Sequence, residues 1–270
     1  SLPEVFSGIL GQNVGSVVGM IVALMIGGLI AALVAYLIGL PVLRLKSDYL
    51  AIATLGFAEI VRAFFQWNAL GPLTNGSNLL KSYPDLGGAS SYLILIGLFI
   101  AIILLLNNST YGRAFKAIRD DEIAAEAMGI NLVSHKRMSF IISSFFAGIS
   151  GAMLAMYQAS VQATTFKSSM TYEILLIVVI GGIGSVSGSI IASFLFIASS
   201  EWLLRFLDNE TWIGGFRVPL LRSGFRMVVF SIIIMAVVLF FRKGIMGDRE
   251  LFQKKPASTA KTAKKEARSK

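Results

Sequence analysis

Long apolar runs recur along this chain and constrain its fold more than any other feature. The clearest runs are residues 14–40, 92–106, 138–157 and 225–241. Their lengths approach or exceed the roughly 17 residues that a helix needs to cross the hydrocarbon core of a bilayer. The runs are continuous rather than alternating, which favours helices over membrane β-strands. The sequence therefore predicts an all-α protein, a polytopic bundle of transmembrane helices.

Two further apolar segments are interrupted. Residues 49–66 contain charged side chains, and residues 189–204 follow a shorter apolar stretch and the glycine-rich motif Gly181-Gly-Ile-Gly-Ser-Val-Ser-Gly188. We expect about six spans in all. The alternative is that residues 172–188 enter and leave the membrane on one side, because glycine-broken segments are tolerated at membrane depth where protein surrounds them.

The composition excludes several kinds of function. The chain is 55% hydrophobic and only 14% charged, whereas soluble domains contain about a quarter charged residues. It has no cysteine and a single histidine, His135, so it can form no disulfide, thiolate metal site or histidine cluster. No serine, aspartate or histidine stands in the sequence context of a hydrolase nucleophile. We therefore expect no catalytic residue, no metal site and no cofactor.

The net charge of +9 is concentrated at the end of the chain. Residues 242–270 contain ten Lys and Arg against three Asp and Glu. A basic balance confined to a tail gives no reason to expect binding to nucleic acid. Residues 248–270 have almost no large apolar side chain, so we predict a disordered tail after a transmembrane domain of residues 1–247.

Lys and Arg near span ends indicate the cytoplasmic side of a membrane. This rule places Arg44, Lys46, the charged loop of residues 107–137 and the tail on the inner side of the cytoplasmic membrane, where the tail meets anionic lipid heads. Four arginines between residues 205 and 226 would then lie on the opposite side, as an exception. The chain starts at Ser1 without Met, and we expect N-terminal spans of a longer protein to be missing.

The charged loop is itself informative. Residues 113–128 are rich in strong helix formers, five of them alanine, and Gly129 suits the C-terminal cap of a helix. The small or apolar positions fall roughly on one helix face; they are Ala117, Ala124, Ala125 and Met128. The pattern alone allows two interpretations. The segment is either a solvated loop helix or a knob that inserts into the cleft of a partner protein.

The segment Gly112-Arg-Ala-Phe-Lys-Ala-Ile-Arg-Asp-Asp-Glu-Ile-Ala-Ala-Glu-Ala-Met-Gly-Ile-Asn131 resembles the cytoplasmic coupling loop of ATP-binding-cassette importer permeases. More narrowly, it is similar to the form in the M-type subunit of the branched-chain amino acid permease family. Three other segments agree with that family: residues 39–62, Val178-Val-Ile-Gly-Gly-Ile-Gly-Ser-Val-Ser-Gly188 and Phe241-Arg-Lys-Gly-Ile-Met-Gly247. The resemblance covers about residues 30–247, and the combination of motifs is specific.

The resemblance implies a permease subunit that offers alternating access to branched-chain or other hydrophobic amino acids. Two cytoplasmic ATPase subunits would press on the coupling helix, an H-type permease would complete the pathway, and an extracytoplasmic binding protein would deliver the substrate. No phosphate-binding loop with Gly-Lys-Ser/Thr occurs here, so ATP hydrolysis would belong to the ATPase subunits. The residues implied in coupling are Arg113, Arg119, Asp120, Glu122, Ala124, Ala125, Glu126 and Gly129.

The chain departs from the family pattern in three places. The general importer motif is Glu-Ala-Ala, three residues and Gly, and here Ile123 occupies the position of the glutamate. The loop after the second span reads Gly71-Pro-Leu-Thr-Asn-Gly76 instead of Thr-Gly-Gly-Pro-Asn-Gly. An upstream Ser-Leu-Gly-His segment is absent.

Other functions remain as alternatives. Relatives in the same superfamily carry urea, short amides or sugars. A secondary transporter would place ion-coupling carboxylates or broken helices near mid-membrane, and Glu59 is the one weak candidate in the sequence. An intramembrane enzyme would need a catalytic constellation, which the sequence does not offer.

Polar and glycine positions within the spans are candidates for lining a transport pathway. Glu59 and Arg62 lie three residues apart, so they can pair on one helix. Ionisable groups in a span often line a pathway or a helix interface; a structural pair near the membrane edge is the alternative. The other candidates are Thr54, Gly56, Gly181, Gly182 and Gly184, and for the glycines close helix packing is the alternative. Gly148 and Gly151 are also spaced for close packing.

Overall fold

The computed structural model describes residues 12–45, 47–67, 78, 80–81, 88–203, 212–213, 216–217, 229, 231–232, 235 and 244–247. The chain divides into two compact units, Ser1–Ser168 and Ser169–Lys270. Most of the described residues are helical, and each described β-strand has only two residues. The prediction of an all-α membrane bundle is confirmed.

The described part of the first unit contains four long α-helices and two short ones. In chain order the helices are α1 (Gln12–Val42), α2 (Ser47–Gln66), α3 (Ala89–Asn108), α4 (Thr110–Asp120), α5 (Glu122–Ala127) and α6 (Leu132–Gln158). The long helices α1, α2, α3 and α6 each contain a stretch long and apolar enough to cross a membrane. Each contains one predicted apolar segment, so the apolar runs located these four spans correctly.

Side chains from three of these spans form the core of the first unit. Leu24 of α1 and Tyr92 of α3 pack with Ile149, Met153 and Met156 of α6. All five are almost completely buried. Because apolar surface gains nothing from other helices inside a lipid bilayer, this packing relies on close fit rather than on exclusion of water.

Helices α1 and α6 approach each other closely at glycine and alanine positions. A Cβ atom added to Gly148 would lie 2.6 Å from the Cβ of Ala31 and 2.8 Å from the carbonyl oxygen of Gly27. The close-packing role predicted for Gly148 is therefore confirmed. For Gly151 an added Cβ meets nothing within 4 Å among the described residues, so its packing role stays a prediction.

A short antiparallel ladder joins the loops that follow α2 and α6. Strand β1 (Leu80–Lys81) pairs with β2 (Ser160–Val161), with Leu80 opposite Val161. The ladder therefore lies at the C-terminal end of α6, whereas α4 and α5 precede its N-terminal end. These two ends are separated by roughly 40 Å of helix, at 1.5 Å per residue. The polar segment and the ladder accordingly lie at opposite ends of a helix long enough to cross a membrane.

The second unit contains a sharply bent pair of helices. Helices α7 (Ser168–Gly181) and α8 (Val186–Ile197) meet at 118°, and a π-helical turn, Ala198–Leu203, follows. A two-residue strand β3 (Trp212–Ile213) pairs with β4 (Phe216–Arg217). The bent pair has the form of a broken span or of a re-entrant loop, the two possibilities that the glycine motif raised.

The described residues contain four helices that can each cross a membrane, or five spans if the bent pair counts as one. The predicted final span, residues 225–241, lies largely outside the described residues, and the tail of residues 248–270 lies outside them entirely. The count of six spans and the disordered tail therefore stay predictions.

Candidate functional site

The polar segment begins with a sharp corner between α3 and α4. Ser109 has extended backbone, and its hydroxyl accepts from the N–H of Gly112 at 3.3 Å while donating to the carbonyl of Leu106 at 2.6 Å. Serine is a preferred N-cap because its oxygen satisfies a free N–H of the first turn. Gly112 lies so close to the end of α3 that an added Cβ would be 2.6 Å from the carbonyl carbon of Asn107. The corner therefore depends on a glycine at this position.

The segment contains two helices rather than the single helix predicted for residues 113–128. Asp121 interrupts them with extended backbone, φ −157° and ψ 110°. Its Oδ1 accepts from the N–H of Ile123 at 2.9 Å and from that of Ala124 at 3.0 Å. Aspartate competes with the helical backbone for such hydrogen bonds and so favours a cap over a helix interior. The propensity of the alanines did not reveal this break.

The second short helix ends in a tight turn at Gly129. Gly129 has φ +84°, and its N–H donates to the carbonyl of Glu126 at 2.9 Å, while the N–H of Ile130 donates to that of Ala125 at 3.1 Å. This pair of bonds is a Schellman cap, which needs a residue in the left-handed region. The capping role predicted for Gly129 is confirmed. Asn131 then caps α6 by accepting from the N–H of Ser134 at 3.0 Å.

Two contacts hold α4 and α5 against the start of α6, and one residue of α5 is buried. The ring of Phe115 meets the edge of His135 with centroids 6.3 Å apart. Glu122 of α5 pairs with Lys136 of α6 at 2.7 Å. Ala125 is only 4% exposed within the chain. We call the two short helices, fixed in this way, the polar hairpin.

The outer side of the polar hairpin is apolar. Ile123 and Met128 are 81% and 82% exposed, and the small residues between and beside them are exposed too. We call this surface the outer edge; it consists of Ile123, Ala124, Ala127, Met128 and Gly129. The prediction that Ala124 and Ala125 share one face with Met128 is wrong for Ala125. Consecutive residues lie about 100° apart on a helix, so Ala125 turns inward where Ala124 turns outward.

The charged residues of α4 bond within their own segment. Arg113 donates to the carbonyl of Asn108 at 3.3 Å and to the hydroxyl of Thr110 at 3.1 Å. Arg119 donates to one oxygen of Asp120 through two nitrogens, at 2.8 and 3.0 Å. These three charged residues and Glu126 are exposed, like the outer edge of the same hairpin.

A second unusual place lies inside the span α2. Nε and Nη2 of Arg62 contact Oε2 of Glu59 at 2.7 and 2.5 Å. The pairing predicted from their three-residue spacing is confirmed. The two side chains are 29% and 41% exposed, Arg62 and Glu59 respectively, so the pair is open on one side within the first unit.

Sequence reasoning missed two members of this place. The hydroxyl of Ser168 donates to Oε1, the other carboxylate oxygen of Glu59. Gln66 lies seven residues after Glu59, hence on the same helix face, and its Nε2 atom is buried with no hydrogen-bond partner among the described residues. The spacing of Gln66 was a usable signal. Ser168 had none, because it is 109 residues from Glu59 in sequence. We call Glu59, Arg62, Gln66 and Ser168 the polar stripe.

The two other candidates on α2 differ in position. Gly56 precedes Glu59 by three residues, so it lies on the side of the polar stripe, and an added Cβ there meets nothing within 4 Å. Thr54 precedes it by five residues, which is about 140° around the helix. Its hydroxyl donates to the carbonyl of Ala51 at 2.9 Å. Thr54 does not extend the stripe.

The candidate glycines of the second unit form a tight backbone contact. The turn of residues 244–247 caps α7: the N–H of Ile245 donates to the carbonyl of Ile180 at 2.8 Å, and that of Met246 to Gly181 at 3.2 Å. Gly182 has φ +109°, and an added Cβ would lie 2.7 Å from the carbonyl oxygen of Gly247. Two separate family-like motifs therefore meet. These contacts involve Gly181 and Gly182 and agree with close packing; Gly184 stays a candidate from sequence alone.

An apolar cavity of about 570 Å³ lies between α3 and α6. Tyr92, Phe99, Phe146 and Met153 are among its lining residues, and the polar stripe contributes none. The chemistry of the first unit is thus concentrated at the polar hairpin and the polar stripe.

Long apolar helices, one of them with a paired charge and two of them joined by a capped polar hairpin, define a helical membrane protein rather than a soluble domain. Residues 5–241 match the family described as "Branched-chain amino acid transport system / permease component", and the chain belongs to this family.

The curated relatives agree with this assignment. The chain is 32% identical over 217 residues to the high-affinity branched-chain amino acid transport system permease protein LivM of Salmonella typhimurium strain LT2, and to LivM of Escherichia coli strain K12. Each match covers 67% of this chain and 51% of the relative, so the chain spans about half the length of these proteins. A third relative is the L-arabinose transport system permease protein AraH of Escherichia coli strain K12, 28% identical over 76% of this chain and 61% of its own length. No solved structure matches the chain.

Proposed function

We propose that this chain is the permease subunit of an ATP-binding-cassette importer that moves branched-chain amino acids across the cytoplasmic membrane. The family and the names of the LivM relatives support the substrate class. The energy comes from two separate cytoplasmic ATPase subunits, a second H-type permease completes the pathway, and an extracytoplasmic binding protein delivers the amino acid. The purified chain by itself is expected to hydrolyse no ATP, since it has no phosphate-binding loop.

The observation that carries this proposal is the outer edge of the polar hairpin. Two large apolar side chains, Ile123 and Met128, stand almost fully exposed on a segment otherwise rich in charge. Exposed apolar clusters with a polar surround are typical of protein contact sites. We propose that this edge enters a cleft of the ATPase subunit. Ile123 takes the place of a glutamate in the general importer motif, so the contact in this chain is more apolar.

The caps and the buried contacts give the outer edge a fixed shape. Asp121 and Gly129 stop α5 at both ends, the Glu122–Lys136 pair links it to α6, and Ala125 is buried. A rigid connection transmits a push on α5 to the span α6, because a flexible loop would absorb it. In this proposal Ala125 acts from beneath the contact surface, and the outer edge makes the contact.

Cysteine cross-linking tests the proposal, because the chain has no native cysteine. Single cysteines at Ile123, Ala124 and Met128 are expected to cross-link to the ATPase subunit in membranes, and to do so differently with and without ATP. A cysteine at Ala125 is the matched control and is expected to cross-link poorly. Efficient labelling of Ile123 and Met128 by a membrane-impermeant reagent added from outside intact cells would contradict both the topology and the coupling role.

A sugar is the second candidate substrate, favoured by the similarity to AraH. The two candidates separate in proteoliposomes that contain the assembled transporter and its binding protein. ATP-driven accumulation of L-leucine, with no accumulation of L-arabinose, is the expected result. The reverse result would move the chain to the sugar branch without affecting the coupling proposal.

We also propose that the basic tail lies on the cytoplasmic side and is dispensable. It has few large apolar residues and many lysines, so it cannot bury enough surface to fold alone. Removing residues 251–270 is expected to leave L-leucine uptake within about twofold of the full chain. A loss of uptake by a truncated chain that still inserts and assembles would assign the tail a direct role.

A further inference from the structure

The polar stripe places charge where the membrane makes charge costly. Glu59 lies seven residues before the end of α2, which is roughly 10 Å from that end at 1.5 Å per residue. The C-terminal ends of α2 and α6 lie on the side opposite the polar hairpin. With the hairpin on the cytoplasmic side, as proposed above, the stripe belongs to the outer half of the span. An ionisable group at this depth is typically turned toward a polar pathway or a protein interface.

The ion pair is satisfied incompletely. Both contacting nitrogens of Arg62 reach the same oxygen of Glu59, because Ser168 occupies the other oxygen. The two-oxygen fork that an arginine prefers with a carboxylate is therefore not formed. Arg62 makes no further hydrogen bond among the described residues, and its remaining N–H groups stay available. Gln66 adds an amide nitrogen without a described partner on the same helix face.

These groups match the two charged ends of an α-amino acid. A free carboxylate accepts two parallel bonds from a guanidinium and can take a third from the amide of Gln66. An ammonium group has three donors and can replace the single donor that Ser168 gives to Glu59. This exchange leaves every charge paired. A solute with only one charge would bring a charge without a counter-charge into a poorly solvated place, which is strongly unfavourable.

We propose that Glu59, Arg62 and Gln66 bind the ammonium and carboxylate groups of a zwitterionic α-amino acid as it passes along α2, with Ser168 holding the site closed between passages. This inference rests on the proposed transport function. It assigns selection for the common α-amino acid group to the permease, while the side chain of the solute is left unconstrained by these four residues.

The test uses the complete transporter in proteoliposomes, with ATPase subunits, both permeases and the binding protein, and follows ATP-driven uptake of radiolabelled L-leucine. The double variant Glu59→Gln with Arg62→Gln keeps a polar side chain at both positions but removes both charges. It is expected to co-purify with its partner subunits, while uptake falls by about tenfold or more, because a site built for charged groups discriminates strongly when they are unpaired.

The exchanged variant, Glu59→Arg with Arg62→Glu, separates recognition from structure. A purely structural pair is restored by the exchange, so assembly and uptake would recover together, and that result would overturn the proposal. If the pair binds the solute, assembly is expected to recover while uptake stays below about a tenth of normal. The reason is that the exchanged carboxylate and guanidinium then face the wrong ends of the amino acid. Gln66→Leu is expected to lower uptake severalfold with normal assembly; unchanged uptake would remove Gln66 from the site.

The same assay distinguishes a failure of the proposed substrate class from a failure of the proposed binding site. If the unaltered transporter accumulates no L-leucine, the proposed substrate class fails. If the unaltered transporter accumulates L-leucine and both double variants do so equally well, the proposed function holds and the recognition site alone is wrong.

Discussion

A membrane protein usually keeps apolar side chains in its spans and polar side chains in its loops. The polar stripe of α2 and the outer edge of the polar hairpin depart from this rule in opposite ways. The stripe places a carboxylate and a guanidinium in a membrane span, and the edge exposes isoleucine and methionine on a water-facing segment. Within the stripe, the carboxylate of Glu59 is already paired with Arg62 and hydrogen-bonded by Ser168. The outer edge has no such internal solution, because the described residues leave Ile123 and Met128 uncovered. In the proposed transporter the ATPase subunit covers the edge permanently, whereas the stripe binds its solute only in passing.

The strongest way to break this comparison is to make the outer edge polar. The double variant Ile123→Asp with Met128→Asp is expected to abolish ATP-driven uptake. Burying each of these side chains at a contact is worth about 1.5–3 kcal/mol, so docking should weaken by at least about a hundredfold. Co-purification of the ATPase subunit with the permease measures the effect.

The expected fault is confined to docking. Neither side chain is buried in the chain, so thermal stability and membrane insertion of the double variant should match the unaltered protein. Ala117→Asp is the control, since it adds a carboxylate at an exposed position of α4. If it abolishes co-purification equally, added charge anywhere on the hairpin is enough and the outer edge is not special.

Neighbouring alanines sharpen the distinction between the inner and outer sides of the hairpin. Ala125→Leu overfills a buried position and is expected to cost about 1–3 kcal/mol of stability, seen as a lower unfolding temperature in detergent. Ala124→Leu makes the same chemical change on the exposed side and should leave that temperature unchanged while weakening co-purification of the ATPase subunit. Equal unfolding temperatures for the two variants would show that Ala125 is not held inward in solution.

The sequence predicted the spans because membrane crossing needs only length and apolarity, which are local properties. It also predicted the Glu59–Arg62 pair and the Gly129 cap, since helical spacing and positive φ are local too. It failed where distant residues decide. Ser168 reaches Glu59 through the tertiary fold alone, and the burial of Ala125 depends on how the short helix is placed in the fold. The break at Asp121 was readable in principle, but strong helix formers on both sides concealed it.

The Schellman cap offers a test of how rigid the outer edge must be. Gly129→Val places a branched side chain at φ +84°, which costs roughly 1–2 kcal/mol, and it is expected to reduce uptake partially. Gly129→Asn is the matched variant, because asparagine tolerates the left-handed region much better, and it should retain most uptake. If both variants lose uptake equally, the cause is that any side chain at position 129 blocks close approach of the partner, rather than a change of backbone conformation.

The two ion pairs provide the finest comparison between the regions. Glu122 and Lys136 are 55% and 37% exposed at the water-facing hairpin, and such surface pairs contribute about 0–1 kcal/mol. Lys136→Met is therefore expected to change the unfolding temperature and uptake only slightly. Arg62→Met, which leaves the carboxylate of Glu59 unpaired inside a span, should impair both far more. Uptake and unfolding of the two variants in the same preparation check this order. Equal effects would mean that α2 is as well solvated at Glu59 as the hairpin is at Glu122, and the contrast between the two regions would disappear.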